Sequence, residues 1–497
     1  MQVTQRARLT KEADLDVFTC LRDTEHMERL GQKSGNIRHL PQLLTEAHVV
    51  SNEPSGSMKP VDVSHRTFGE GEFWRRIPGF NAIDEKTFLD HRWQVKHSIT
   101  KVEALKAILG ERISNAVIAD INEAFREVPM ALRVSPYLLA LMNWHDPERD
   151  PLRRQFIPMA SRSLPDHPKL SFDSLKEQAD APLPGLTHRY PDKVLLLALD
   201  TCPVYCRFCT RSYAVGPDQD AVTKVSLKAT TSRWEAALNY IARHPQIEDV
   251  VISGGDAWNL RADQIDALGQ RLLDIDHVRR FRFASKGLAI LPQKILTDNA
   301  WFDSLARLNE RARRQGVDLM LHTHFNHPKE ATWITQQAML RLHQVGIHVR
   351  NQTVLQRGVN DDAPTLTRLN RRLGYLNIHP YYVYVHDMVR GTETLRTSIR
   401  SACELEIATR GSTAGFNTPT FVVDAPGGGG KRCVHSFDYY NERSGISVFR
   451  APAVKPGESF LYFDPIDTLP TESQERWRHP EEQAAMIAEA RLNVPKA

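Results

Sequence analysis

The pattern of apolar and polar positions changes character near residue 185. From there on short apolar runs recur, "KVLLLALD", "DVVISGGD", "FRFAS", "VDLMLHTHF", "VRNQTVL", "PYYVYV" and "TFVVDAP", separated by amphipathic stretches such as "ADQIDALGQRLLDI" and "ATWITQQAMLRLHQVG". Near-continuous apolar strands alternating with helices predict a parallel sheet covered on its outer face, either a barrel or an open doubly wound sheet. Upstream, "VEALKAILGERISNAVIADINEAFREV" from Val102 has helical spacing, whereas "DHPKLSFDSLKEQADAPLPG", Asp166 to Gly185, reads as a proline- and charge-rich connecting segment. The expected division is a mainly helical region with its linker at 1–185, a βα domain at 186–435 and a C-terminal extension at 436–497.

The residues at the strand ends favour the barrel. Cys202 follows the first strand, Gly254, Gly255 and Asp256 the second, Ser285 the third and His324 the fourth; Asn351 and Gln352 lie within the fifth, Asp387 follows the sixth and Asp424 ends the last. In a βα barrel the C-terminal ends of the strands converge on one mouth, so these side chains are expected to share a site, with His324 and Gln352 among its cofactor-binding residues.

Composition narrows the field. With 64 basic and 60 acidic residues among 497, the formal charge is +4, so nucleic acid is not an expected partner; Arg311, Arg313, Arg314 and Arg279, Arg280 are expected on solvated helix faces. No apolar stretch approaches the roughly 20 residues that span a bilayer. The first residues mix acids with bases and have no apolar h-region, so a cytoplasmic protein without membrane contact is expected. Six cysteines are too few for a disulfide scaffold and point to a metal or redox site in a reducing compartment.

Three of those cysteines, Cys202, Cys206 and Cys209, form C-x3-C-x2-C. Zinc knots take four ligands in paired C-x2-C units, and no second pair exists here, whereas an iron–sulfur cluster accepts soft thiolates and would be left with one open iron. This spacing after the first strand of a βα domain resembles the radical S-adenosylmethionine superfamily. The resemblance implies that S-adenosylmethionine chelates the open iron of a [4Fe-4S] cluster. It also implies that "SGGD", Ser253, Gly254, Gly255 and Asp256, receives the methionine amino group; alone, such a glycine pair reads as a turn.

"VVDAPGGGGKRC" puts Lys431 after four glycines, without the spacing or the Ser/Thr of a phosphate-binding P-loop. A lysine on a strand-end loop at a closed mouth is a candidate Schiff-base residue for an aldehyde cofactor. Together, C-x3-C-x2-C and "DAPGGGGK" resemble the lysine 2,3-aminomutase family, as do "PGLTHRYPDKVLLL", "THFNHP", "RGVND" and "PYYVY", over about Trp93 to Gly430. The resemblance implies pyridoxal 5′-phosphate on Lys431 with Tyr190 in contact, Arg211 on the substrate carboxylate, and Asp387 and Asp424 on the distal ammonium of lysine. Two carboxylates in one mouth suit a cation and would repel glutamate. Without the resemblance, Asp387 reads equally well as a helix cap and Asp424 as a turn residue.

The implied reaction moves the α-amino group of L-lysine to the β-carbon, with an electron donor to reduce the cluster and a small amino acid as substrate. The same acid pair would accept arginine, so another basic amino acid stays open as substrate. A noncatalytic iron–sulfur protein would not need Arg211, Asp387, Asp424 and Lys431 together. The chain departs from the family at Lys193, where arginine is common, and at "TRSYAVG", where arginines usually continue the motif. Asp362 stands where some members place a zinc-binding cysteine, which speaks against the family's structural zinc and its subunit arrangement; a homo-oligomer is otherwise compatible with the sequence. Cys20, Cys403 and Cys433 read as plain thiols.

Overall fold

All seven apolar runs are strands of one nine-stranded sheet in the computed structural model, which describes residues 62–495. They are β2 (Lys193–Leu199), β3 (Asp249–Gly254), β4 (Arg280–Ala284), β5 (Asp318–Thr323), β6 (His348–Val354), β7 (Ile378–Tyr384) and β8 (Thr420–Ala425). Each is parallel to the next. Two strands that periodicity did not predict flank them antiparallel, β1 (Leu186–Tyr190) against β2 and β9 (Gly430–Cys433) against β8.

The strand order is sequential from β1 to β9, with no reversal and no pairing between the ends. A doubly wound sheet reverses its order at a switch point. Here every crossover advances in the same direction, which curls the sheet into an incomplete barrel, the partial βα barrel expected from the sequence. Alternation along the strands turns Leu195, Val251, Arg282, His322, Gln352, Tyr382 and Asp424 towards a common interior. The amphipathic stretches become helices Ala262–Leu273 and Trp333–Gln344.

The N-terminal residues described include helices Val102–Leu109 and Asn115–Glu127, as their spacing predicts. Ser114 caps the second through Val117 N–H, 3.2 Å from its hydroxyl. An aromatic group led by Trp74 stacked on Phe88, with centroids 4.1 Å apart, belongs to the same apolar core as the barrel. C-terminal to the barrel, β10 (Tyr439–Asn441), β11 (Ile446–Arg450) and β12 (Ser459–Phe463) form an antiparallel sheet followed by helices Thr471–Arg476 and Pro480–Leu492. The described residues fall within one compact unit, Asp62–Ala497. The first 61 residues of the expected helical region, Cys20 among them, lie outside the described residues.

Two expectations are corrected. Arg280 is not on a helix face: it begins β4 and pairs with Asp249 at 3.1 Å, and only the arginines of helix Asn299–Arg314 fit that description. The segment from Asp166 to Gly185 is not merely connecting: His167, Ser174, Leu175 and Glu177 within it are buried.

The glycine pair after β3 has a steric cause. Gly254 has φ of +119°, and a Cβ there would sit 2.2 Å from Leu199 O; a Cβ on Gly255 would sit 2.2 Å from Thr201 O. This close approach lets Gly255 N–H donate to Leu199 O at 2.6 Å and Asp256 N–H to Thr201 O at 2.9 Å. The loop that begins at Cys202 is thereby held against the end of β3. Gly255→Ala should push that loop away, lowering the melting temperature and the bound iron together; iron content equal to the parent's after anaerobic reconstitution would contradict this origin for the glycine pair.

Candidate active site

Two chambers open inside the barrel mouth. One, of about 200 Å³, is lined by Cys202, Cys206, Cys209, Ser253–Asp256 and Ser285. The other, of about 260 Å³, is lined by Tyr190, Lys193, Asp387, Asp424 and Lys431. They share a wall: Thr210, Arg211, His322, His324 and Gln352 line both. The strand-end residues therefore meet at one mouth but divide between two adjoining spaces. Asn351 is the exception, since its side chain is buried against Phe325, whose N–H it accepts at 2.6 Å.

In the first chamber burial pushes all three cysteine thiols above their ordinary range, and for Cys202 the Asp256 charge adds to it. Such thiols ionise when a cation compensates them, as a metal centre does. Among the described residues no three Cys, His, Asp or Glu side chains are arranged to hold a single ion. A cubane cluster makes no such demand, because each thiolate binds a different iron. Met130, Tyr205 and Val215 pack around Cys202 and Cys209 and keep this side apolar. The carboxylate of Asp256 accepts from Trp258 N–H at 2.8 Å and Lys286 N–H at 2.9 Å, which ties the ends of β3 and β4 together.

The second chamber is organised by charge. Lys431 does not sit on a loop, as the glycine run implied, but on β9, directly across the β8–β9 pairing from Asp424. Its Nζ donates to Asp424 Oδ2 at 2.8 Å, and its backbone N–H donates to the Tyr190 hydroxyl at 3.0 Å. Burial disfavours the charge on Lys431, but the Asp424 carboxylate outweighs it and holds the lysine pKa well above its usual value. Asp424 is lowered in return: burial opposes, and Lys431, then Arg189 and Lys193, prevail.

Asp387 has no such cation. It accepts a hydrogen bond from Thr210, and burial, reinforced by the Asp424 charge, pushes it up to about 7. Neither aspartate plays the plain structural part open to it: the helical turn after Asp387, Glu393–Leu395, starts from Thr392, and Asp424 lies within β8. Lys193, whose Nζ lies 3.9 Å from the Tyr190 ring centroid, is lowered to about 7 by burial and then by the Lys431 charge. Burial also lowers His324, to about 3, so its ring is neutral.

Arg211 meets a residue that sequence reasoning missed. Its Nε and Nη2 donate to Glu177 Oε2 and Oε1 at 2.9 and 2.8 Å. Burial works against the guanidinium, but Glu177 outweighs it, and the arginine pKa is raised. Nothing local marked Glu177, which stands in a charged, proline-rich stretch. Tyr381, Tyr382 and Tyr384 also line the chamber, and their only signal was the aromatic run of β7. Asp362, at the expected non-zinc position, caps helix Ala363–Tyr375 by accepting from Thr365 N–H at 2.8 Å. Cys403 is half-buried and Cys433 exposed.

A sequential partial barrel whose first parallel strand leads into a three-cysteine loop is the architecture of a radical S-adenosylmethionine enzyme. A family profile described as lysine-2,3-aminomutase matches residues 406–444. The L-lysine 2,3-aminomutase of Fusobacterium nucleatum is 37% identical over 354 residues, 71% of this chain and 77% of that one. That of Clostridium subterminale is 37% identical over 357 residues, 72% and 80% of the two chains. The glutamate 2,3-aminomutase of Clostridioides difficile is 30% identical over 350 residues, 70% and 76%. The chain belongs to the lysine 2,3-aminomutase family, and membership implies S-adenosylmethionine and an iron–sulfur cluster. Among the described residues no helix is long and apolar enough to cross a membrane.

Asp387 makes the second chamber measurable without any ligand. A carboxyl whose pKa is raised on folding is a liability once ionised: stability falls as pH rises from the unfolded pKa to about 7, and the full cost is present above that. Asp387→Asn keeps an acceptor for Thr210 and removes the charge. It should melt higher than the parent at pH 8, by on the order of a few degrees, with the gap closing towards pH 4. A gap that is independent of pH would show that Asp387 is not the titrating group.

Proposed function

We propose that this protein is an L-lysine 2,3-aminomutase, moving the α-amino group of L-lysine to the β-carbon, with a [4Fe-4S] cluster on Cys202, Cys206 and Cys209 and pyridoxal 5′-phosphate on Lys431. The observation that carries the substrate is the pair Asp387 and Asp424 lining one chamber with Lys431 and Arg211. Two acids there favour a substrate with a distal cation, and they disfavour glutamate, the substrate named for the Clostridioides difficile relative.

The residues fit both cofactors. The cysteine chamber offers three thiols and an apolar surround. The other offers an amine, the Tyr190 ring, and polar atoms that are buried without a protein partner, Asp424 Oδ1, His322 Nε2 and His324 Nε2. Arg189 and Lys193 at its wall are suited to a phosphate, whose negative charge would favour the protonated form of Lys193. When bound, the cluster and S-adenosylmethionine supply a carbon radical that can take a hydrogen atom, and pyridoxal phosphate supplies a carbonyl carbon that can carry the migrating nitrogen. This reading calls for a one-electron donor as a partner.

The chain's own groups do the positioning. Arg211, in the wall between the chambers, is placed to hold the substrate carboxylate, and the two aspartates hold the far ammonium; the span between them fixes where the β-carbon lies. Before the cofactor is attached, Lys431 Nζ keeps its proton because Asp424 attracts it. An amine must lose that proton before it can attack a carbonyl. With Lys431 Nζ engaged by the cofactor, the Asp424 carboxylate would be left, with Asp387, for the substrate ammonium. The ring of Tyr384, with Lys431 Nζ 5.5 Å from its centroid, helps exclude water there.

Lys431→Ala should remove pyridoxal absorption and leave cluster iron in place, and a pyridoxal spectrum like the parent's would sink the assignment. Cys206→Ala should lose iron and all turnover; surviving turnover would end the radical mechanism. With lysine and arginine offered side by side and the β-amino acid quantified, lysine should be the better substrate. Asp387→Asn with Asp424→Asn should raise the Michaelis constant for lysine at least about a hundredfold, two charge-assisted hydrogen bonds being lost. Faster turnover of arginine, or indifference of lysine turnover to both changes, would reassign the substrate.

A further inference from the structure

Glu177 is the one buried acid of the second chamber to which no part of the reaction has been given. Its carboxylate receives Arg211 side-on, through Nε and Nη2, and receives the Tyr213 hydroxyl at 3.1 Å. Its backbone is fixed as firmly. The Glu177 N–H donates to Asp173 Oδ1 at 2.9 Å, that of Gln178 to Asp173 Oδ2 at 3.1 Å, and the Thr187 hydroxyl donates to Glu177 O at 3.3 Å. Lys176, immediately before it, has φ of +54°, one of two non-glycine residues in that region among those described. A lysine is rarely held there unless its surroundings enforce it. The strained turn aims Glu177 at Arg211.

A guanidinium has two edges that can each take a carboxylate. Glu177 occupies the Nε–Nη2 edge, which leaves Nη1 and the second hydrogen of Nη2 as an end-on fork. Arg211 also shares its chamber with two other acids, Asp387 and Asp424. An unrestrained arginine would be drawn to either, which would remove both the carboxylate clamp and the ammonium site together.

We propose that Glu177 is a positioning residue for the substrate carboxylate: it holds Arg211 by one edge, so that the other edge stays presented to the chamber and away from Asp387 and Asp424. With the arginine charge already balanced, recognition rests on the geometry of two hydrogen bonds rather than on net charge. The inference deepens the reading of this chamber as a lysine site and rests on it.

Equilibrium binding tests it without turnover. L-lysine and 1,5-diaminopentane, the same diamine without a carboxylate, are titrated calorimetrically into the cofactor-loaded enzyme and into Glu177→Gln and Glu177→Asp. Glu177→Gln should weaken lysine at least about tenfold, the worth of one charge-assisted hydrogen bond. Diaminopentane, which lacks the carboxylate, should weaken by clearly less, through competition of the released Arg211 for Asp387 and Asp424, while pyridoxal absorption and iron content stay at parent values. Glu177→Asp, with its charge but one methylene shorter, should fall between. Equal weakening of both ligands would make Glu177 merely structural, tighter lysine binding would make it a competitor of the substrate, and no change would give it no part; each overturns the proposal. Parent enzyme that binds neither ligand would remove the functional reading itself, and this inference with it.

Discussion

Buried charge governs the mouth of this barrel. An ion taken out of water costs several kcal/mol unless another charge or a set of hydrogen bonds replaces its hydration. The second chamber satisfies this twice over, by Asp424 with Lys431 and by Glu177 with Arg211, and leaves Asp387 without a cation. The paired groups are held in the charged state, and the unpaired one is driven towards neutrality until a cation reaches it. A ligand that brings an ammonium and a carboxylate meets the uncompensated Asp387 at one end and an ordered hydrogen-bonding edge at the other. Selectivity between the lysine-type and glutamate-type relatives becomes a matter of electrostatic balance, not of shape alone.

The shared wall is equally constraining. Thr210 and Arg211 follow Cys209 directly, and through Asp387 and Glu177 they fasten the cysteine loop to both ends of the second chamber. A displacement of the cysteine loop cannot leave Asp387 and Glu177 in the second chamber where they are. The glycine pair after β3 fastens the other end of the same loop, by backbone contacts too close for any side chain. The two chambers are in register because one short segment belongs to both.

How much of this was legible depended on how local the signal was. The strands from β2 to β8 are short apolar runs, and the cysteines are fixed by their own spacing, so both could be read along the chain. Asp387 and Asp424 stood out by their strand-end positions and Lys431 by the glycine run before it, but the part each plays came only with a family resemblance, and the strand that carries Lys431 could not be foreseen: Gly430–Cys433 is short and polar, and it is a strand only because it pairs with β8. β1 is hidden for the same reason. Glu177 is the clearest case. Lysine, aspartate and proline surround it as in any linker, and its burial comes from a contact with an arginine 34 residues further on. Met130, likewise, joins the cysteine chamber by tertiary packing alone. Periodicity reports which face a residue shows its own element, and it is silent on partners brought from elsewhere.

The glycine run before Lys431 is backed by residues that come after it in the chain. A Cβ on Gly429 would sit 2.5 Å from the Phe460 ring and one on Gly430 3.2 Å from Val454, while Lys455 Nζ lies 3.2 Å from Asp180, beside Arg189. Protein synthesis delivers these parts in a fixed sequence. The cysteine loop and the β3 to β6 walls of its chamber precede Lys431 in the chain, whereas the Lys431 hairpin, which pairs with β8 and reaches Tyr190, gains its backing from Val454 and Phe460 only once the chain has passed them. The two chambers therefore receive their supporting parts at different moments of synthesis, the second of them from the segment that follows the barrel.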